Sequence, residues 1–123
     1  FQWSIIKKED NSCIGQISVQ EKEGYPVYIR DIGWFIDPKE QRKGYAFEAA
    51  KNVISYMFDE VQIEAIETSS AVCNQASFGL MEKLKLKRRG NETHNQKYTF
   101  LEELVDCYSY GITRKEYLNN KSL

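Results

Sequence analysis

Histidine is nearly absent from this sequence: His94 is the only one. The three cysteines, Cys13, Cys73 and Cys107, are odd in number, and their spacing matches no metal-ligand template. No metal is therefore expected. The simplest reading of the cysteines is free thiols, buried as small apolar groups in a reducing compartment, which places the chain in the cytoplasm. Long apolar runs are missing too. None approaches the roughly 20 residues of a membrane span, and no secretory signal pattern occurs. There is no basic stripe: 17 Lys and Arg are scattered among 18 Asp and Glu, for a formal net charge of −1. A nucleic-acid partner is thus not expected. Neither the Walker pattern nor the dinucleotide glycine pattern is present, so ATP and NAD sites are unsupported. Repeats, low-complexity stretches and internal linkers are also lacking. Nor is there an initial Met. Phe1-Gln2-Trp3-Ser4-Ile5-Ile6 already has strand character, so preceding sequence is expected.

What is present reads as one domain over all 123 residues. Two strands, Phe1 to Lys8 and Cys13 to Val19, flank the turn cluster Glu9-Asp10-Asn11-Ser12 and form a hairpin. Gly15 marks a candidate bulge. Val27 to Ile36 is a third strand, ended by Asp37-Pro38. From Tyr45 the period becomes helical, with Ala46, Phe47, Ala50, Val53, Ile54, Met57 and Phe58 on one face. Val61 to Thr68 returns to strand. Asn74 is an N-cap, followed by a helix through Ala76, Leu80 and Leu84. Gly90 breaks the chain, and the polar run containing His94 reads as a surface loop. Lys97 to Leu101 and Val105 to Ile112 form a closing strand pair, and a short helix begins near Thr113. The order β-β-β-α-β-α-β-β implies a mixed-sheet α/β domain, with antiparallel hairpins flanking a β-α-β crossover.

The chemistry concentrates in Asp31-Ile32-Gly33-Trp34-Phe35-Ile36-Asp37-Pro38 followed by Gln41-Arg42-Lys43-Gly44-Tyr45-Ala46. A strand, a glycine-containing turn and a helix start can aim successive amides at an anion, with the helix dipole behind them. Gly44 permits close approach, and Arg42 and Lys43 add positive charge. A pyrophosphate is the natural guest. One glycine and two basic residues also suit an ordinary strand-to-helix loop.

The Gln41–Ala46 segment resembles the (Gln/Arg)-x-x-Gly-x-(Gly/Ala) signature of the GCN5-related N-acetyltransferases, the GNAT superfamily. Asp31-Ile32-Gly33-Trp34 is similar to a segment of its Rim-type branch. So are Asn74-Gln75-Ala76-Ser77 with Met81-Glu82-Lys83-Leu84, and the ending Tyr108 to Tyr117. The resemblance spans nearly the whole chain. It implies a GNAT-like acyl-CoA N-acyltransferase fold lacking the first strand and helices, which build much of the acceptor wall. It further implies acetyl-CoA as acyl donor, an amine as acceptor, and a branch that admits a homodimer. Amides from Arg42 to Ala46 would hold the CoA pyrophosphate, with Gln41 opening the signature. The central strands would splay around a bulge near Trp34 and Phe35. Pantetheine would pair with main chain around Phe35 and Ile36, and Asn74 would contact the pantetheine or acetyl end.

An amine attacks a thioester only when uncharged, so a base must take its proton, and the departing thiolate needs a donor. Asp31 is the candidate base. Its mid-strand position is unusual for a carboxylate, and it sits where the branch commonly has Glu; a solvent-facing Asp paired with Arg30 is the alternative. Ser77, one turn after Asn74, is the candidate donor, since many superfamily members carry Tyr where this chain has Met81. Local bonding at the helix start is the other reading of Ser77. Cys73 precedes Asn74 but has no base partner for a covalent step. The missing Tyr and the Asp-for-Glu exchange also fit a catalytically idle acyl-CoA sensor.

Overall fold

The computed structural model describes residues 1–71, 74–97 and 104–121, with the side chains of 90–97 and 104–106 outside that description. Six strands form one sheet: β1 (Gln2–Ile6), β2 (Cys13–Glu21), β3 (Ile29–Ile36), β4 (Ala65–Ala71), β5 (Lys87–Lys97) and β6 (Leu104–Thr113), in the order β1-β2-β3-β4-β6-β5. All neighbours are antiparallel except β3 and β4, which are parallel across the helix α1 (Tyr45–Tyr56). Helices α2 (Gln75–Lys83) and α3 (Arg114–Lys121), a 3-10 turn (Pro38–Glu40) and a π-turn (Met57–Val61) complete the described elements. No described helix is long and apolar enough to cross a membrane.

Spacing explains the packing. Ala50, Val53, Ile54, Met57 and Phe58 are buried at helical intervals, the last two in a π-turn that extends α1. They meet Ile17, Val19, Ile32 and Ile36 from one half of the sheet, and Ile66, Tyr110 and Ile112 from the other. Met81 of α2 belongs to the same core. Each Val, Ile, Met or Phe among them contributes about 1.5–3 kcal/mol on burial. Alternation turns Gln16, Ser18, Asp31, Gly33 and Phe35 to the opposite face, where Phe35 is exposed.

Several expectations change. The bulge lies in the β1–β2 ladder: the partner jumps from Gly15 at Ile5 to Cys13 at Ile6, leaving Ile14 as the extra residue. The β2–β3 ladder, by contrast, keeps one register from Gly15–Ile36 to Glu21–Arg30, so no bulge occurs in it at Trp34 and Phe35. Gly15 is required there because the Phe35 carbonyl oxygen occupies the space of a Cβ. β5 begins at Lys87 and continues through Gly90 and His94, where a loop was expected. Pairing with β6, through two register shifts, overrides its polar composition. Tyr98 to Leu101 of the expected strand lies outside the described residues. Cys13 is exposed rather than buried, and Cys107 is buried. Cys73 also lies outside the described residues.

The C-terminal helix is tied down by charge. Arg114 Nη2 donates to the Phe58 and Ile63 carbonyls at 3.1 and 2.8 Å, closing the end of the π-turn. Glu116 accepts from Arg89 at 2.5 Å, from the Thr113 amide at 3.0 Å and from Lys87 at 3.1 Å. Arg89 above all holds its carboxyl far below the usual carboxylate range, at about 2. A depressed carboxylate stabilises the fold above its unfolded value near 4.5, and this contribution is lost as pH falls toward about 2. Urea unfolding of Glu116→Gln should therefore show lower stability than wild type at neutral pH. The difference should shrink between about pH 4.5 and about pH 2.

Candidate active site

The ladder between β3 and β4 is short. Only Ile29–Ala65 and Arg30–Ile66 pair, although β3 runs on to Ile36 and β4 to Ala71. Beyond Arg30 and Ile66 the strands part, and a cleft of about 630 Å³ opens toward their C-terminal ends. β3 lines it with Trp34, Phe35 and Ile36. The next turn supplies Glu40, Gln41, Arg42 and Gly44, and α1 adds Tyr45, Ala46 and Phe47. The facing wall is α2, with Asn74, Ala76, Ser77, Gly79, Leu80 and Lys83.

Main-chain direction decides what the cleft offers. In a strand, alternate residues turn their N–H and C=O the same way. The Ile32 carbonyl points at β4, where it accepts from Thr68 Oγ1 at 3.0 Å. Trp34 and Ile36 therefore face the cleft with their main chain, and Gln41 Nε2 takes the Ile36 carbonyl at 3.3 Å. The Phe35 carbonyl points the other way, into β2 at Gly15. The main chain thus turns to the cleft at Trp34 and Ile36 and not at Phe35, although Phe35 still lines the opening.

The turn before α1 is built to present amides. Arg42 has φ 65° and Gly44 φ 86°, both in the left-handed region. A Cβ at Gly44 would meet nothing within 4 Å, so its backbone conformation, not crowding, requires glycine. Gly44 caps α1 with no side-chain bond, and its carbonyl accepts from Glu48 N at 3.0 Å. Among the described residues, none accepts a hydrogen bond from the amides of Arg42 to Ala46. Those donors sit at the positive end of a 12-residue helix, beside the cleft. The arrangement fits an anion such as a pyrophosphate.

The sequence-derived candidates divide. Trp34, Phe35, Ile36, Gln41, Arg42, Gly44, Tyr45, Ala46, Asn74 and Ser77 all line the cleft. Lys43 does not; it pairs with Glu40 at 3.1 Å, and Glu40 also binds Lys7. Asn74 is the N-cap of α2, its side-chain oxygen accepting from Ser77 N at 3.2 Å. That leaves its NH₂ group for a ligand. Asp31 is half-buried on β3 opposite Gln20, near the closed end of the splay, and it does not line the cleft. The structure therefore does not bring Asp31 and Ser77 to one wall. Met81 is buried in the core and takes no part. Sequence reasoning missed Glu40, Phe47 and Gln75, and on the next turns of α2 Ala76, Gly79, Leu80 and Lys83. Their three- and four-residue spacing on one face of α2 was the available signal.

The comparisons agree with this geometry. A family model described as an acetyltransferase (GNAT) domain matches residues 1–87. The chain belongs to the GNAT acetyltransferase family. It is 32% identical over 89 residues to the uncharacterized N-acetyltransferase YnaD of Bacillus subtilis (strain 168), covering 72% of this chain and 51% of YnaD. The GNAT chain thus spans about half the length of that relative. The crystal structure of a GNAT-family acetyltransferase from Bacillus anthracis superposes with TM-score 0.83 at 30% identity, over 94% of this chain and 67% of the other. The ribosomal-protein-S5-alanine acetyltransferase of Vibrio fischeri shares the fold at 18% identity, TM-score 0.84, over 95% of this chain and 63% of that one.

Gly44→Ala should cost about 1 kcal/mol of stability through its left-handed conformation. It should also weaken CoA binding by roughly tenfold, the worth of about one charge-assisted amide contact. Calorimetric titration with CoA measures this, and Lys43→Ala, outside the cleft, should bind close to wild type.

Proposed function

We propose that this chain is the donor-binding part of an N-acetyltransferase that moves an acetyl group from acetyl-CoA to a primary amine. The amides of Arg42 to Ala46, without protein acceptors beside a splayed cleft, carry this reading. They take the pyrophosphate, with Arg42 adding charge. The pantetheine arm lies along β3, bonded to the main chain of Trp34 and Ile36, with Asn74 reaching it from α2. Tyr45 and Gln41 form the cleft wall around it.

Attack is direct, in a ternary complex. The neutral amine nitrogen bonds to the thioester carbonyl carbon, and the C–S bond breaks. Asp31 takes the amine's proton through a bridging water, because its short side chain stands outside the cleft. Ser77 hydrogen-bonds the leaving thiolate and relays to it a proton from solvent, while Asp31 returns the amine's proton to solvent, so both side chains end as they began. The acceptor is a protein N-terminal amine or a small-molecule amine, reached from the sheet face that carries Asp31 and Phe35. The Asp31–Trp34, Asn74–Ser77 and Tyr108–Tyr117 segments favour the Rim-type branch. The exposed free thiol of Cys13 suits a reducing compartment such as the cytoplasm.

CoA should raise the thermal midpoint of the protein, and acetyl-CoA with an amine panel should release free thiol. Asp31→Asn should lower turnover by about 10²-fold or more with the CoA affinity unchanged, and Ser77→Ala should lower turnover by about as much, with a smaller effect on CoA affinity. Wild-type turnover in both variants would remove these two residues from the mechanism. A protein that neither binds CoA nor is stabilised by it would refute the donor site.

A further inference from the structure

The face of the sheet turned away from α1 carries a second hollow. It holds about 500 Å³ and meets the donor cleft at Phe35, which lines both and is 60% exposed. Its floor is a row across three strands: Phe35 stands opposite Gln16 on β2, and Gln16 opposite Ser4 on β1. The bulge at Ile14 shapes the far side. The extra residue turns β2 aside, and the Asp37 amide fixes the flared end by donating to the Ile14 carbonyl at 2.7 Å. Cys13 and Asp37 close the rim. An open lane joins this hollow to Asp31. Gly33 lies between Asp31 and Phe35 on the same face, and a Cβ there would meet only Ser18 Oγ, at 3.7 Å.

The hollow has bonding capacity to spare. Asp37 Oδ1 accepts from the Lys39 amide at 2.9 Å, and Oδ2 has no partner among the described residues. Gln16 Oε1 accepts from Gln2 at 2.6 Å, which leaves the Gln16 NH₂ group for a ligand. The exposed Phe35 ring attracts a cation as well. A carboxylate, an aromatic ring and neutral polar groups together suit an ammonium group.

We propose that this hollow is the acceptor subsite, and that it holds one ammonium group of a short diamine whose other amino group reacts. This rests on the donor-binding reading above. Asp37 follows Trp34 by three residues, roughly 10 Å along an extended chain. A diamine with one end on Asp37 therefore brings its other end to the thioester beside Trp34, on the face where Asp31 takes the proton through water. A monoamine with an apolar tail gains the Phe35 contact alone and leaves Asp37 unengaged.

The test compares tetramethylenediamine with butylamine, equal in chain length and different by one charge. Cys13 is an exposed thiol on the rim, so its alkylation by iodoacetamide, read on the Cys13 peptide by mass spectrometry, reports occupancy without turnover. With CoA present and ionic strength matched, the diamine should slow this labelling and butylamine should not. In turnover, KM for the diamine should be at least about fivefold lower, the worth of one ion pair with a cation–π contact. Asp37→Asn keeps an oxygen for the Lys39 amide and loses the charge. In that variant the protection should vanish and the two KM values should converge, with CoA affinity unchanged. Equal wild-type labelling with the two amines overturns the inference even if Asp37→Asn fails to fold. Equal wild-type KM values overturn it too, as does protection that persists in a folded Asp37→Asn. A protein that CoA stabilises but that labels equally with both amines keeps its donor site and loses only the acceptor hollow; one that CoA does not stabilise loses both.

Discussion

Everything functional in this fold depends on a parallel strand pair that stops pairing. β3 and β4 share two register positions and then diverge, although each continues for several residues. Unpaired strand edges inside a sheet are costly unless something else meets them. Here two side chains meet part of that edge: Thr68 at the Ile32 carbonyl and Gln41 at the Ile36 carbonyl. The main chain of Trp34 between them is left facing a cleft. The two halves of the sheet stay together because one apolar core runs beneath both, from Ile17 and Ile32 through Ile54 and Phe58 to Ile66 and Tyr110.

The turn before α1 completes the same design from the other end. Two left-handed residues, Arg42 and Gly44, rotate the chain so that amides point outward rather than back into the protein. A non-glycine residue held at positive φ stores strain, of order 1–3 kcal/mol, of the kind that collects at ligand sites. Nearby, Glu40 gathers Lys7 and Lys43, and their charges hold its carboxyl below the usual range. Glu40 itself lines the cleft, and Lys43, paired with it, does not. What faces the cleft beside Glu40 is Arg42, the turn's amides without acceptors among the described residues, and the positive end of the helix dipole.

The second wall is held by α2, whose position is set from beneath. Tyr110, fully buried, donates to Glu82 at 2.5 Å, and burial with that carboxylate lifts its phenol to about 12. Phe78 meets the edge of Tyr108, over which Arg88 stacks at 3.6 Å. Ser70, also buried, bonds the Asn74 carbonyl at 3.4 Å. The N-terminal half of α2, with Asn74 and Ser77, is thus anchored to β4 and β6 by the protein's own side chains.

By itself, the order of residues determined the helices, the first three strands and the glycine turn, because apolar periodicity and capping are local properties. The three- and four-residue rhythm from Ala50 to Phe58, the Asn74 cap and the Gln41–Ala46 signature were all legible, and with them the β-α-β crossover and most of one cleft wall. What only the tertiary structure decided depends on which strand lies beside which. The polar segment at His94 became strand because β6 offered a ladder. Trp34 rather than Phe35 turned its main chain to the cleft because β2 claimed the odd-numbered residues of β3. Thr68 became a brace because the neighbouring main chain had withdrawn. A hydroxyl on a strand carries no sign of this in sequence, since its partner is a carbonyl 36 residues away.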